Sequence, residues 1–213
     1  MFIRRLPVGP IETNAYIVAH EASREALVID PGGPPEPILR ILNDDHLELQ
    51  AIVNTHGHGD HIAGNVPLAR ATGAPVWAHE ADAAMLTDPH ANLLAWAGFN
   101  VETAAPDRTL REGDTITIGE GHPDAIVLRV AHTPGHTPGG MSLVGDGFVF
   151  SGDSLFAGGV GRTDLPGGSE YQLLQSIRDK LLALPDQTIV YPGHGPETTI
   201  GDERRHNPFL RGL

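Results

Sequence analysis

The chain has 213 residues, with 14 basic and 27 acidic side chains and therefore a formal charge of −13. This length predicts one globular domain over residues 1–213, and the acidic charge argues against a nucleic-acid backbone or an anionic membrane surface as partner. The absence of cysteine excludes a disulfide scaffold, a thiolate nucleophile and Cys-ligated metal sites. Twelve histidines are an excess that requires a chemical explanation. No apolar run approaches the roughly 18 residues that cross a bilayer, and no secretory leader is evident, so a cytoplasmic location is expected.

The first third of the chain alternates predicted strands with predicted helices. Short, partly β-branched runs bounded by Gly, Pro, Asn or Asp predict strands over residues 14–19, 26–29 and 51–53. Apolar residues at helical spacing after a proline predict a helix over residues 37–46. A second helix is expected over residues 62–72, before Gly73 and Pro75.

Strand signals dominate the middle of the chain. Strands are expected over residues 115–118, 125–130, 141–144, 148–150 and 188–191, with a hairpin at Gly145-Asp146-Gly147. An apolar face predicts a helix over residues 171–184, with Ser169 as its N-cap. Helices that flank two strand-rich halves indicate an α/β chain in which two sheets pack together with helices outside.

Histidines and a carboxylate are concentrated directly after the strand predicted at 51–53. The segment 55–61 reads Thr-His-Gly-His-Gly-Asp-His. Alternate residues of an extended segment point the same way, so His56 and His58 are able to share one ion. Asp60 and His61 follow the turn toward a helix and are therefore expected to face a second ion. Gly57 and Gly59 are expected to provide the backbone bends.

The same local pattern of a strand, a glycine and then His or Asp recurs later in the chain. It places His136, Asp153 and His194 after predicted strands. Five histidines and two aspartates are enough donors for two ions. Zinc takes imidazole and carboxylate ligands and leaves a position open for water in catalytic sites.

The histidine motif and the downstream segments resemble the metallo-β-lactamase fold superfamily, and within it the glyoxalase II-like group. The similarity extends from Asn14 and Tyr16 to Asn207-Pro208-Phe209 and is strongly specific in the motif at 55–61. The downstream segments that carry it are Pro134-Gly135-His136-Thr137-Pro138-Gly139, Ser151-Gly152-Asp153-Ser154-Leu155-Phe156, Gly161-Arg162-Thr163-Asp164 and Tyr191-Pro192-Gly193-His194-Gly195.

The resemblance implies a four-layer αββα sandwich with the metal ions at one edge, between the two sheets. The ligands implied for the first ion are His56, His58 and His136. Those implied for the second are Asp60, His61 and His194, with Asp153 bridging both. Two divalent ions are expected, zinc first, with iron and manganese as alternatives.

Two close divalent ions lower the pKa of a shared water toward about 7 and so supply hydroxide at neutral pH. We expect this bridging hydroxide to attack an activated carbonyl, with Asp60 orienting it. A thioester fits, because a thiolate leaves without a strong general acid; ordinary thiols have a pKa of about 8.5. The expected substrate is therefore a small-molecule acyl thioester such as a hydroxyacylglutathione.

The length of the chain bears on the substrate. The best-known glyoxalase II enzymes have a helical C-terminal domain that supplies much of the glutathione site, and a chain ending at Leu213 is expected to lack it. The alternative function is a persulfide dioxygenase with a single iron on His56, His136 and Asp153. The flanking glycines of His194 favour the dinuclear group. The sequence leaves the oligomeric state open.

Several residues near the predicted centre have two interpretations. Arg162 is able to bind a substrate carboxylate or to pair with Asp164 and fix its loop. Asp30 is either a turn former or a hydrogen-bonding support of the ligand loop. His79 and His132 are expected to have structural roles. The remaining histidines are expected to face solvent: His20, His46, His90, His122 and His206.

Overall fold

Two six-stranded sheets lie face to face in the computed structural model, which describes residues 1–97 and 101–212. The first sheet contains six strands in chain order, antiparallel at β1–β2 and β2–β3 and parallel from β3 to β6. Its strands are β1 (Phe2–Val8), β2 (Thr13–Ala19), β3 (Glu25–Ile29), β4 (Glu48–Asn54), β5 (Val76–His79) and β6 (Arg108–Leu110).

The second sheet has the strand order β14-β13-β10-β9-β8-β7. All neighbours in it are antiparallel except β10 and β13, which are parallel. Its strands are β7 (Thr115–Ile118), β8 (Ile126–His132), β9 (Met141–Val144), β10 (Phe148–Gly152), β13 (Ile189–Pro192) and β14 (Thr198–Thr199). A separate two-stranded ribbon joins β11 (Leu155–Phe156) to β12 (Gly159–Val160).

Helices cover the outer face of each sheet. Those on the first sheet are α1 (Glu36–Asp44), α2 (Gly59–Ile62) and α3 (Asn65–Thr72). Those on the second are α5 (Glu170–Ser176), a π-helix (Ile177–Leu181) and α6 (Ile200–His206). A short helix, α4 (Leu94–Ala97), and 3₁₀ turns at Glu80–Asp82, Met85–Thr87 and Pro208–Leu210 complete the described elements.

Three apolar cores hold these layers together. The central core lies between the sheets and includes Val18 and Ile29 from the first sheet with Leu128 and Phe150 from the second. A second core joins the outer face of the first sheet to α1 and α3. A third joins the outer face of the second sheet to α5 and the π-helix. Helix, sheet, sheet and helix therefore form the αββα sandwich expected from the sequence.

The predicted elements agree with the structure at most positions. The strands expected at 115–118 and 141–144 have those bounds, and the hairpin at Gly145-Asp146-Gly147 joins β9 to β10. Ser169 caps α5, with its Oγ accepting from the Gln172 backbone N–H. The single helix predicted over 62–72 is wrong in detail, because α2 and α3 are separate. Within the described ranges, no helix has the length and apolar character to cross a membrane.

Candidate metal centre

The ligand candidates lie on loops that begin where buried strands of the two sheets end. His56, His58, Asp60 and His61 follow β4 and continue into the first turn of α2. The other three follow strands of the second sheet, β8, β10 and β13. Rigid strands thus fix the start of each loop, and both sheets contribute donors to one edge of the sandwich.

Three imidazoles form the first group of donors. One ring nitrogen from each of His56, His58 and His136 lies within 4.8 Å of the other two. His58 Nδ1 lies 2.9 Å from His136 Nε2. All three residues are buried, at 2 to 4% relative exposure, so the nitrogens face a common point inside the protein.

A carboxylate and two imidazoles form the second group. Asp60 Oδ2 lies 3.3 Å from His61 Nε2 and 3.2 Å from His194 Nε2. Thr13 Oγ1 donates to the same carboxylate oxygen at 2.9 Å. The Asp60 carboxylate is therefore held in place by β2 as well as by the loop after β4.

Asp153 lies between the two groups. Its Oδ1 is 3.4 Å from His61 Nε2 and its Oδ2 is 3.5 Å from His136 Nε2. Gly193 leaves room for this carboxylate, since a Cβ there would lie 2.1 Å from Asp153 Oδ1. Asp153 Oδ2 also lies 3.6 Å from His194 Nε2, so this one side chain reaches both groups.

Four buried atoms of this site have no hydrogen-bond partner. They are Nε2 of His56, His58 and His61, and Oδ1 of Asp153. Buried polar atoms are nearly always paired, and an unpaired one indicates a missing partner such as an ion. Cations held by the two donor groups would give partners to His56 Nε2, His61 Nε2 and Asp153 Oδ1, so the donor set fits the divalent ions that its chemistry implies.

Hydrogen bonds determine which ring nitrogen carries the proton in His61 and in His136. His61 Nδ1 donates to Asp30 Oδ2 at 2.9 Å, and His136 Nδ1 donates to the Arg162 carbonyl at 2.7 Å. Carboxylate and carbonyl oxygens only accept, so in the neutral form of each ring the lone pair is on Nε2. Such partners set ring orientation and tautomer in metal sites.

The electrostatics of the site favour a bound cation. Burial and the neighbouring imidazole of His136 lower the pKa of His58 to about 3. This ring is therefore neutral at neutral pH, and its lone pair is available to a metal ion. Burial opposes protonation of His61 as well, yet the carboxylates of Asp60, Asp153 and Asp30 outweigh it and raise the pKa of His61. Burial raises the pKa of Asp60, but His61 and His194 lower it by more. Three close carboxylates thus attract positive charge.

Glycine is needed in the ligand loop for space. Neither Gly57 nor Gly59 has a positive φ, so the expectation that they supply unusual backbone bends is wrong. A Cβ at Gly57 would lie 2.9 Å from Met85 Sδ, and one at Gly59 would lie 2.5 Å from a Leu94 methyl. The loop packs against the segment after β5 too closely for a side chain.

Asp30 supports the ligand loop by hydrogen bonding. Its carboxylate accepts from the Thr55 backbone N–H at 2.7 Å, from Thr55 Oγ1 at 2.6 Å and from His61 Nδ1. Of its two sequence interpretations, the supporting role describes these contacts. Arg162 pairs with Asp164 through two 2.7 Å hydrogen bonds, which is the loop-fixing arrangement.

Two further residues support the centre, and the sequence predicted a role there for neither of them. Asp82 is fully buried and accepts from the Gly57 N–H, Thr137 Oγ1 and the Gly139 N–H, at 2.9, 2.7 and 2.5 Å. Asn14 Nδ2 donates to the carbonyls of Pro192 and Gly195, on either side of His194. The only sequence signal for Asp82 is its position shortly after a strand.

The histidines outside the centre divide into two kinds. His79 caps a 3₁₀ turn, with Nδ1 accepting from the Ala81 N–H at 3.2 Å, and stacks on His132 at 4.0 Å between ring centroids. Both have the expected structural roles. The prediction that His20 faces solvent is wrong: it is fully buried, with Nδ1 accepting from the Ser23 N–H.

The fold and this donor set define a class of metal-dependent protein, and comparison with known proteins identifies it. A family model of the metallo-beta-lactamase superfamily matches residues 8–194. The chain belongs to this superfamily.

Relatives extend the match over the whole chain. A probable metallo-hydrolase of Bacillus subtilis, YqgX, is 42% identical over 99% of this chain and 98% of its own. The hydroxyacylglutathione hydrolase GloC of Haemophilus influenzae is 35% identical over the same shares. The chain is thus similar to metallo-hydrolases along nearly its full length.

Solved structures have the same architecture. The B3 metallo-beta-lactamase BLEG-1 superposes with a TM-score of 0.92 at 41% identity, covering 99% of this chain and all of that one. TTHA1623, solved in a di-iron-bound form, superposes with a TM-score of 0.82 at 39% identity and with the same coverage. ETHE1 from Myxococcus xanthus gives 0.79 at 33% identity, covering all of this chain and 85% of that one.

Proposed function

We propose that this protein is a dinuclear metal-dependent thioesterase that hydrolyses a small-molecule acyl thioester, of the hydroxyacylglutathione type or related to it. The observation that carries the proposal is the position of Asp153, whose two oxygens reach His61 in one donor group and His136 in the other. A carboxylate placed in this way suits two ions that share one ligand.

Bound divalent ions would lower the pKa of a water and polarise the carbonyl under attack. The residues proposed to hold them are His56, His58 and His136 at one position and Asp60, His61 and His194 at the other, with Asp153 common to both. Zinc suits this nitrogen and oxygen set, and iron or manganese are alternatives.

The chain itself supplies orientation. We assign to Asp60 the task of positioning the attacking water, because its carboxylate has a fixed place: Thr13 donates to Oδ2 while His194 and His61 lie beside the same oxygen. A lowered pKa keeps Asp60 ionised across the neutral range. The ionised carboxylate is able to accept the proton of a water and align its lone pair.

Thioesters are favoured as substrates on chemical grounds and by similarity. A thiolate with an ordinary pKa of about 8.5 leaves without protonation by a strong acid. GloC, which is named a hydroxyacylglutathione hydrolase, is a full-length relative. The name of that protein makes S-lactoylglutathione the first compound to assay.

A mononuclear iron persulfide dioxygenase is the second candidate, with the ion on His56, His136 and Asp153. These three residues converge here too, since His136 lies beside both others. The second donor group weighs against it: Asp60, His61 and His194 place a donor atom each within 4.8 Å of one another, which a single-iron enzyme does not require.

Parallel assays of the metal-loaded protein distinguish the two candidates. The thioesterase proposal expects thiol release from S-lactoylglutathione without oxygen uptake, and no turnover of glutathione persulfide. Oxygen consumption with glutathione persulfide, and no thioester hydrolysis, would overturn it.

Asp60→Asn tests the assignment of the water-orienting residue. It is expected to lower kcat by a factor of about 10²–10⁴, the usual contribution of a positioned base. Asp146→Asn, in the exposed hairpin between β9 and β10, is the matched control and should keep full activity. Equal rates for the two variants would contradict the assignment.

A further inference from the structure

An apolar cavity of about 390 Å³ lies beside the candidate metal centre, on the side of Asp60. Loops before β2 and after β3 form one wall, with Gly9, Pro10 and Gly33 among their residues. The other described lining residues include Ala63 and Pro67, at the end of α2 and in α3, Leu94 of α4, and Val101. The volume lies within the range of small-molecule sites, roughly 300–1,000 Å³.

The loop wall of the cavity is closely packed and therefore preformed. A Cβ at Gly32 would lie 1.6 Å from the Asp60 carbonyl oxygen, and one at Gly33 would lie 2.8 Å from the Gly9 nitrogen. A Cβ at Gly64 would lie 2.2 Å from the Pro31 oxygen. Backbone in such contact has little room to move inward, so the space is not closed by a small shift of these loops.

The lining determines what kind of group the cavity accepts. Among the described lining residues, Asp60 is the only ionisable one. An anionic group would be repelled there and a polar one would lose its hydrogen bonds to water. A second cavity of the same size, on the side of His136, differs: it is lined by Arg162, Asp164 and Glu170 as well as apolar residues.

We propose that the apolar cavity binds the acyl chain of the substrate, so that the preferred thioester carries an unbranched apolar acyl group of several carbons. This inference rests on the proposed thioesterase function and specifies its substrate class. Asp60 belongs to both the second donor group and the cavity lining, so the cavity adjoins the donor group at which the thioester carbonyl would be attacked. The polar thiol half then lies toward the cavity that includes Arg162.

Burial of an acyl chain predicts a graded specificity. Each buried methylene is worth roughly 0.8 kcal/mol, which corresponds to a gain of about fourfold in kcat/KM per methylene. The gain should continue until the cavity is full. A site built for a short polar hydroxyacyl group would give no such rise.

The test measures kcat/KM for N-acetylcysteamine thioesters from acetyl to octanoyl, because this thiol is small and uncharged. Two variants, Ala63→Phe and Val101→Phe, each place a large side chain in the cavity. Ala71→Phe, on the exposed face of α3, is the matched control. Metal content and circular dichroism are recorded for each protein.

The proposal expects kcat/KM to rise at least tenfold from the acetyl to the octanoyl thioester, both in the wild type and in Ala71→Phe. It expects the ratio of kcat/KM for the octanoyl thioester to that for the acetyl thioester to fall tenfold or more in both cavity variants. A flat profile in the wild type, or an unchanged ratio in a folded, metal-containing cavity variant, would overturn it.

Binding without turnover separates this inference from the proposed function. Calorimetric titration of metal-free protein with octanamide and acetamide is expected to give binding of octanamide alone, lost in Ala63→Phe and Val101→Phe. Octanamide binding without hydrolysis of any thioester would contradict the thioesterase proposal but support the cavity as an apolar binding site. Hydrolysis of thioesters without octanamide binding would overturn the cavity assignment only.

Discussion

Asp30 illustrates how a residue outside the two donor groups is able to control their geometry. Its φ of 50° places it in the left-handed region, where Asp is better tolerated than most residues. This backbone turns the carboxylate toward Thr55 and His61, where it accepts three hydrogen bonds. The tautomer of His61 therefore depends on Asp30.

Asp30→Asn is expected to weaken metal binding 10- to 100-fold, the usual effect of removing a partner of a metal-binding histidine. Asn keeps the backbone conformation but presents an amide N–H₂ to groups that are themselves donors. A chelator competition assay measures the dissociation constant. Asp44→Asn, exposed near the end of α1, is the control, and equal affinities for the two variants would contradict the role of Asp30.

His79 supports a prediction about pH. Burial, with His132 stacked on the ring, lowers the pKa of His79 from 6.5 to about 4. The carboxylates that face it reduce the shift without reversing it: Glu80, Glu112 and Asp114. Between pH 6.5 and 4 the unfolded chain binds a proton at this residue and the folded chain does not, so stability is lost as the pH falls.

His79→Asn should remove part of this loss. Asn retains a side-chain acceptor suited to a helix N-terminus and does not titrate. Urea unfolding of metal-free protein at pH 7 and pH 4.5 is expected to show a wild-type loss larger than that of the variant by about 2–3 kcal/mol. Identical losses in the two proteins would count against a neutral, buried His79.

The side chains of the candidate centre were predictable because clustered imidazoles and carboxylates are chemically distinctive. The histidine motif and the strand-glycine-ligand pattern indicate the same seven side chains that the structure brings together. Residues such as Asp82 and Asn14 act through backbone groups of distant segments, and a contact of this kind has no local sequence signature.

At the scale of elements, Asp82 joins two ligand loops. It accepts from Gly57, between His56 and His58, and from Thr137 and Gly139, just after His136. The loop after β4 and the loop after β8 belong to different sheets. One buried carboxylate thus holds together the two loops that form the first donor group.

Asp82→Asn is therefore expected to weaken binding at the first group more than at the second. Asn retains one acceptor oxygen, so one of the three donors faces an amide N–H₂ instead. In a stepwise metal titration, the dissociation constant of the ion at the first group should be about tenfold or more higher than in the wild type, while that of the other ion changes less. Asp146→Asn is again the control, and equal weakening of both ions would contradict a role confined to the first group.

Element boundaries were less predictable than element types. The helix expected over 171–184 is α5 followed by a π-helix, because apolar periodicity does not distinguish the two hydrogen-bond patterns. Strand β1 was not predicted at all. Its exposed residues Arg4, Arg5 and Pro7 interrupt the apolar pattern typical of a strand. The strand pairs with β2 at the edge of the sheet.

At the scale of the molecule, the centre connects the two halves of the sandwich. The first half supplies His56, His58, Asp60 and His61, and the second supplies the donors after β8, β10 and β13. Helices flanking two strand-rich halves indicated two packed sheets, but the four-layer αββα order with the centre at one edge came from the family resemblance. Pairing between distant strands is set by the whole core, which short sequence windows do not contain.

The number of ions bound per chain tests the central claim most directly. Metal-free protein is saturated with Zn²⁺, and separately with Fe²⁺ under anaerobic conditions, then passed through gel filtration and analysed by mass spectrometry for metal and protein. Asp153 between two complete donor groups predicts two ions per chain. Saturation at one ion per chain with both metals would contradict the dinuclear centre and the thioesterase mechanism that depends on it.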